Sequence, residues 1–246
     1  MGFLVSQVLV VFLLLSGMGM AGVNKYGLAA TGVTGLLTIP ISGWLLWRDE
    51  GKRNFSQKTG FGRRLRLGEV VWMLLLGISA CQLVNMMLAV LQFTRLFPGY
   101  GELSEQIFTD QKLFWMLLWA GIVAPMAEEL IFRGLIFRRL LDYLPIGWAI
   151  GISAFLFGLY HGNVLQFIYA GLLGACFAYC YYRLGSLWAP VLLHMGANCW
   201  SVILTHLASA AGASVGLGYA MLVAMGVEVV VVVFSIINFI RNREGM

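Results

Sequence analysis

The stretch LFWMLLWAGIVAPMAEELIFRGLIFR, residues 113–138, is apolar throughout except for Glu128, Glu129 and Arg133, before Arg138 closes it. Its 26 residues would extend about 39 Å as a helix, more than the roughly 30 Å of hydrocarbon in a bilayer. A charged side chain at the bilayer centre costs about 2.5–3.5 kcal/mol on insertion scales. We therefore expect a membrane-spanning helix whose charged residues serve a function.

The rest of the chain has the same apolar character. Of its 246 residues, 60% are hydrophobic and 11% are charged, whereas soluble domains carry about 25% charged residues. Eight apolar segments reach spanning length, at about 3–22, 28–47, 69–93, 113–138, 146–163, 165–183, 187–207 and 216–240. The sequence therefore predicts an all-α, polytopic membrane bundle of about eight transmembrane helices with no soluble domain.

Basic residues are distributed unevenly among the connections. When alternate connections are assigned to opposite sides, one side receives the seven basic residues of 48–68 together with Arg138, Arg139, Arg183, Arg241 and Arg243. The other side receives Lys25, Arg95 and Lys112. Because basic residues concentrate in cytoplasmic loops, this asymmetry predicts a multi-pass integral membrane protein with both termini in the cytoplasm. It also explains the net charge of +5 without a nucleic-acid partner.

The chain divides into three parts. Residues 1–110 hold the N-terminal transmembrane helices and the basic cytoplasmic loop 48–68. Residues 111–207 form a core of four helices that carries the polar motifs, and residues 208–246 hold a C-terminal helix and a short basic tail. All four cysteines lie in apolar stretches and are interpreted as small buried hydrophobic residues. Glycine pairs at small-xxx-small spacing, Gly147 with Gly151 and Gly158 with Gly162, predict close packing there.

The two glutamates of residues 113–138 are expected to have different roles. Glu129 and Arg133 are four residues apart, so they can form an ion pair along their helix. Glu128 points about 100° away from Glu129, and it is the freer carboxylate. We therefore expect Glu129 and Arg133 to support the site and Glu128 to face the chemistry.

Two further segments bring polar side chains to overlapping depths. The segment FGLYH places His161 four residues after Phe157, and HMGAN places Asn198 four residues after His194. Residues four apart share one face of a helix. The candidate catalytic residues are therefore Glu128, His161, His194 and Asn198, with Glu129, Arg133 and Phe157 in support.

Two chemistries fit these residue types. A carboxylate in a low-dielectric cavity can take a proton from water, while histidine and asparagine stabilise the oxyanion that attack by water creates. Alternatively, Glu128, His161 and His194 could be three ligands of a Zn²⁺ or another divalent metal, with a fourth position open to water. The sequence contains no HExxH, GxSxG or P-loop motif, and it does not choose between the two chemistries.

The segments EELIFR, FGLYH and HMGAN resemble the ordered motifs EExxxR, FxxxH and HxxxN of the CAAX-protease and bacteriocin-processing (CPBP, or Abi) family of intramembrane endopeptidases. The resemblance covers about residues 110–205, and no motif position departs from the pattern. It implies that Glu128 and His161 activate water and that His194 and Asn198 stabilise the oxyanion. It also implies a membrane-anchored peptide or protein substrate, prenylated or bacteriocin-like, in the lipid bilayer.

Three alternatives remain open: a non-catalytic membrane scaffold, an immunity or regulatory protein, and a proton-linked transporter. Intramembrane acids and histidines also build proton relays, although transporters tend to show repeated halves and no repeat is visible here. Glu228 could be structural or part of a relay, and His206 is expected at the membrane interface. We expect the site to line a cavity, enclosed by the four core helices, that is wet on the cytoplasmic side.

Overall fold

The computed structural model describes residues 27–49, 64–92, 111–211 and 226–235. Its regular elements are helices, as the sequence predicts. In chain order they are α1 (Gly27–Asp49), α2 (Leu67–Val90), α3 (Leu113–Leu141), α4 (Ile146–Tyr160), α5 (Val164–Leu184), α6 (Trp188–Ala211) and α7 (Gly226–Ser235).

Within the described ranges, the four helices α1, α2, α3 and α5 are long and apolar enough to cross a membrane. The helices α4 and α7 are shorter and apolar, and α6 has 24 residues with polar side chains on one face. These helices make the chain an integral membrane protein, whereas the predicted count of about eight spans is not confirmed. The predicted span 3–22 and most of the basic loop 48–68 lie outside the described residues.

Five helix ends meet in one buried apolar cluster. It contains Leu46 near the end of α1, Phe137 of α3, Ala149 near the start of α4, Tyr181 of α5 and Leu187 just before α6. These five residues are at most 3% exposed. The end of the bundle where they meet is therefore a dry, closely packed core.

The arginines gather at this same end of the molecule. Arg139 of α3 reaches Asp49 of α1 with an N–O distance of 3.3 Å. Apart from Arg133, the described arginines lie at the helix ends that meet here or at the start of α2: Arg48, Arg64, Arg66, Arg138, Arg139 and Arg183. We call this the arginine end. At the opposite end, Leu28, Met116 and Val202 form a smaller buried cluster.

The helices α2 and α6 run parallel and in close contact. A Cβ added at Gly196 of α6 would overlap the carbonyl oxygen of Leu74. Farther along both helices, Trp200 Nε1 donates to Gln82 Oε1 at 3.1 Å. Because α6 starts at the arginine end, α2 starts there too.

The predicted glycine packing around α4 is only partly correct. A Cβ at Gly158 would lie 2.6 Å from the carbonyl oxygen of Phe167, so α4 and α5 do approach closely there. Among the described residues, a Cβ at Gly147 or Gly151 would meet nothing within 4 Å, and the prediction of close packing by this pair was wrong there. Gly162 instead has a positive φ of 75°, and it turns the chain between α4 and α5.

The helix α3 changes its hydrogen-bond register twice. Two π-helical segments, Leu117–Val123 and Leu130–Phe137, flank the α-helical stretch Ala124–Glu129. Pro125 lies in this stretch and has no N–H to donate to the preceding turn. Single π-helical turns inside α-helices occur frequently at functional sites, and here they bracket Glu128 and Glu129.

Candidate active site

Glu129 and Arg133 form a buried ion pair at the centre of the bundle. Arg133 Nη1 donates to Glu129 Oε1 at 2.8 Å, and both side chains are 0% exposed. Arg133 Nη2 donates to the carbonyl oxygen of Gly174 on α5 at 2.7 Å. His194 of α6 places its Nδ1 2.9 Å from the same Glu129 oxygen. The pair therefore connects α3, α5 and α6, and we call Glu129, Arg133 and His194 the buried network.

Not every atom of this network is satisfied. Glu129 Oε2 and Arg133 Nε are buried without a hydrogen-bond partner among the described residues. A buried ion pair must overcome the desolvation of both charges, and it adds stability only when its geometry and further hydrogen bonds are excellent. The network is therefore better explained by the position it gives to His194 than by a gain in stability.

Two phenylalanines cover the buried network. The guanidinium of Arg133 lies 4.5 Å from the centre of the Phe157 ring and 5.2 Å from that of Phe177. The imidazole of His194 stacks on Phe177 with 4.7 Å between the ring centres. Cation–π contacts strengthen when the cation is desolvated. Phe157 thus packs α4 against the charged group of α3.

Glu128 has a different environment from its neighbour. Its Oε2 lies 3.9 Å from His194 Nε2, which is too long for a hydrogen bond. Its side chain lines a cavity of about 440 Å³, a volume within the range of small-molecule binding sites. One glutamate is enclosed, and the other faces the cavity.

Both motif histidines line this cavity. The Nδ1 atom of His161, at the end of α4, lies 2.8 Å from the carbonyl oxygen of Phe157. Because a carbonyl oxygen only accepts, Nδ1 carries the proton, and in the neutral ring Nε2 keeps a lone pair. The carboxylate of Glu129 orients His194 in the same way through Nδ1.

Asn198 also lines the cavity, and it fastens α6 to α3. Its Nδ2 donates to the carbonyl oxygen of Ala120 at 2.9 Å. In the π-helical register, the N–H of Ala124 bonds to the carbonyl of Trp119, so the next donor in that register would be Pro125, which has none. The Asn198 amide replaces the missing donor and retains a second N–H for another acceptor.

The cavity extends from the motif residues toward the end opposite the arginines. Its lining includes Thr31 of α1, Asn85 of α2, Gln166 of α5, and Ser201 and Thr205 of α6. All five lie in the half of their helix that is distant from the arginine end, and Asn85 and Thr205 are exposed. The expectation that the arginines and the wet opening share one side was wrong. The position of a motif residue along its helix gives its depth in the membrane. That depth does not show toward which end of the bundle the cavity opens.

The metal alternative does not fit this arrangement. Among the described residues, no group of three His, Cys, Asp or Glu side chains is placed so that it could hold a metal ion. Glu128, His161 and His194, the ligands expected for that alternative, share the cavity but do not converge on one point.

The sequence interpretation missed two contributions to the site. The carbonyl of Gly174, which accepts from Arg133, is a backbone group and left no signal in the sequence. Ser201 and Thr205 did leave one, since they follow His194 at spacings of seven and eleven residues, on the same helical face.

The remaining candidate residues lie away from the cavity. Glu228 of α7 is buried and does not line it. His206 is exposed near the end of α6. The four cysteines are free thiols: Cys81 and Cys180 are buried, and Cys176 and Cys199 are half-buried.

The segment that carries these side chains is similar to known proteins. Residues 110–200 match the family described as type II CAAX prenyl endopeptidase Rce1-like. This segment is therefore similar to CAAX endopeptidases. The match contains all three motifs, from Glu128 to Asn198, so the resemblance stated from the motifs is confirmed.

One curated relative from Bacillus subtilis (strain 168), named "Putative membrane peptidase YdiL", is 33% identical over 110 residues. The aligned region covers 43% of this chain and 45% of the relative, less than half the length of either protein. No solved structure matches the chain. The similarity to CAAX endopeptidases therefore rests on the segment that contains the motifs.

Proposed function

We propose that the protein is an intramembrane endopeptidase that hydrolyses peptide bonds of membrane-associated substrates with water activated by Glu128 and His161. The contrast between two adjacent carboxylates carries this proposal. Glu129 is held by Arg133 and His194, whereas Glu128 faces a cavity that it shares with His161. The family description and the name of the relative both denote peptidases, which supports the same activity.

In the proposed reaction, a water held by His161 Nε2 loses a proton to the Glu128 carboxylate as its oxygen attacks the scissile carbonyl carbon. The carbonyl oxygen becomes an oxyanion, which accepts hydrogen bonds from the Nε2–H of protonated His194 and from the second N–H of Asn198. When the tetrahedral intermediate collapses, the C–N bond breaks and the proton on Glu128 passes to the leaving amine.

The buried network supports this proposed cycle without touching the substrate. The carboxylate of Glu129 accepts from His194 Nδ1 at 2.9 Å and so fixes the orientation of the ring that would donate to the oxyanion. Arg133 balances the charge of Glu129 at 2.8 Å. Its position between two phenylalanine rings keeps water away from the pair.

A membrane-anchored substrate suits a site enclosed by apolar helices. An anchored chain is concentrated beside the cavity and arrives already oriented, which raises its effective concentration over that of a soluble peptide. A prenylated C-terminus and a bacteriocin-like peptide both belong to this substrate class. A non-catalytic scaffold, an immunity or regulatory protein and a proton-linked transporter would not hydrolyse such a substrate.

The test is hydrolysis of lipid-anchored, fluorescence-quenched peptides by the purified protein in detergent. We expect Glu128→Gln to lower the rate at least about 100-fold, because glutamine keeps the size but does not accept the proton. The matched control is Asp142→Asn, which removes an exposed carboxylate just after α3 and should leave the rate unchanged. Full activity of Glu128→Gln would contradict the assigned role.

The same assay distinguishes the remaining alternatives. The proposal predicts that dialysis against a chelator leaves the rate unchanged, whereas a metal-dependent peptidase would lose activity and regain it with Zn²⁺. Absence of hydrolysis by the unmodified protein, over a range of anchored peptides, would favour the scaffold, regulatory or transporter interpretations.

A further inference from the structure

We infer that the substrate reaches the site from the non-cytoplasmic side of the membrane, as an internal, extended stretch of polypeptide. This inference deepens the proposed peptidase activity and rests on it. It is carried by the direction of the cavity, the chemistry of its lining and the concentration of arginine at one end of the bundle.

A polar stripe on α6 leads from the site to the end opposite the arginines. His194, Asn198, Ser201 and Thr205 follow one another at spacings of four, three and four residues, so they lie on one helical face. All four line the cavity, and Thr205 is exposed at its mouth. From His194 to Thr205 the helix rises about 16 Å, which corresponds to about five residues of extended polypeptide.

The opposite wall of the cavity is polar as well. Asn85 of α2 and Gln166 of α5 face the same space as the α6 stripe. Amide and hydroxyl groups both donate and accept hydrogen bonds, as the N–H and C=O groups of an extended peptide require. This lining is suited to a peptide backbone.

The charge of the cavity argues against a free C-terminus as the bound group. Glu128 is the carboxylate among the described lining residues, and these residues include no lysine or arginine. Among the described lining residues, protonated His194 would be the one cation, and the carboxylate of Glu129 at 2.9 Å already balances its charge. A terminal carboxylate or an anionic lipid head group would therefore lack a counter-charge from these residues. An internal stretch of chain, whose backbone is neutral, fits the lining better.

Within the described ranges, the arginine end offers no comparable polar route to the site. Between the buried network and that end lie Leu46, Phe137, Tyr181, Leu187 and Val191, all at most 3% exposed. A peptide would have to displace this apolar core to enter from there. The site is thus open toward one end and closed toward the other.

The basic residues assign the arginine end to the cytoplasm. Trp44, Trp47, Trp148 and Trp188 are exposed there by 40–70%, and the guanidinium of Arg48 lies 5.5 Å from the Trp44 ring centre. Exposed tryptophans mark a membrane–water interface, and an excess of basic residues marks its cytoplasmic face. The mouth of the cavity, at Thr205, therefore lies on the non-cytoplasmic side.

Cysteine labelling tests the side of the mouth without requiring catalysis. In a full-length chain with its four cysteines replaced by alanine, Thr205→Cys reports the mouth and Trp47→Cys, at a residue 70% exposed, reports the arginine end. We expect an impermeant maleimide to label Thr205→Cys only in right-side-out vesicles and Trp47→Cys only in inverted ones. Labelling of both positions from one face, or no labelling at position 205 from either face, would overturn the inference.

Cleavage from each face tests the substrate class. A quenched peptide whose cleavable stretch is internal and whose anchor is a lipid is added to right-side-out or inverted vesicles, and we expect at least tenfold faster cleavage from the non-cytoplasmic face. Equal rates, or faster cleavage from the arginine face, would overturn the inference while leaving the proposed peptidase intact. Failure of the protein to cleave the same peptide in detergent would instead contradict the proposed function. The cysteine-labelling experiment does not depend on that function.

Discussion

The two glutamates of α3 are neighbours in the chain, yet they belong to regions built in different ways. On one side, Glu129 and Arg133 are fully buried and tied to α5 and α6. On the other side, Glu128 and His161 line a cavity that opens at one end of the bundle. The comparison separates two environments for one residue type: an ion pair and a histidine hold one carboxylate, whereas the other lines the cavity where we propose the chemistry takes place.

The largest expected effect is on the open side. His161→Ala should lower the rate of peptide hydrolysis about 10²–10⁴-fold, the usual contribution of a positioned acid or base. Its melting temperature should stay near that of the unmodified protein, because among the described residues the His161 ring is hydrogen-bonded within its own helical turn. Rate and thermal melting would be measured on the same detergent sample.

The control for this variant is His206→Ala, which removes an exposed histidine near the end of α6. It should hydrolyse the peptide at the normal rate. A similar loss in both variants would mean that histidine replacement damages the helix bundle generally, and His161 would lose its assigned role.

The next largest effect is expected in the buried network. Arg133→Ala leaves the carboxylate of Glu129 buried without its cation, a change that costs about 3–5 kcal/mol in unfolding free energy. The matched control is Arg139→Ala, whose ion pair with Asp49 has an arginine side chain 54% exposed and should contribute about 0–1 kcal/mol. Equal melting of the two variants would show that the network does not hold the helices together.

A smaller effect should follow from crowding the network without removing a charge. A Cβ at Gly174 would lie 2.9 Å from Phe157 Cδ1 and 3.0 Å from Arg133 Nη2. Gly174→Ala should therefore displace the guanidinium and destabilise the protein by about 1–3 kcal/mol. On the same helix, a Cβ at Gly171 would meet nothing nearer than 3.8 Å. Gly171→Ala should melt normally, and equal destabilisation by both variants would argue for a general intolerance of α5 to alanine.

Spacing within single helices predicted the local part of this site. The ion pair of Glu129 with Arg133 follows from their separation of four residues, and the same rule applied to α6 would have found Ser201 and Thr205. The all-α fold follows from apolar segments long enough to cross a bilayer. These properties depend on residues that are close together in the chain.

The parts that were not predicted depend on contacts between distant segments. The carbonyl that accepts from Arg133 belongs to Gly174, 41 residues away. The direction of the cavity depends on which halves of six helices separate, and depth along a single helix carries no information about that. The first π-helical segment of α3 contacts Asn198, 78 residues from the carbonyl it binds, next to the missing donor of Pro125.

This last pairing provides the smallest and most specific of the expected effects. Asn198→Ala removes the donor to the Ala120 carbonyl and should cost about 1 kcal/mol in unfolding free energy. This value lies at the lower end of the range for an unsatisfied polar group, because the hydrogen bond is only partly buried. In a Pro125→Ala background the backbone regains an N–H at the position where the π-helical register lacks one, so the cost of Asn198→Ala should fall. A double-mutant cycle of melting in detergent measures this coupling. Equal costs in the two backgrounds would show that Asn198 does not replace the donor missing at Pro125, and the contact between α3 and α6 would then need another explanation.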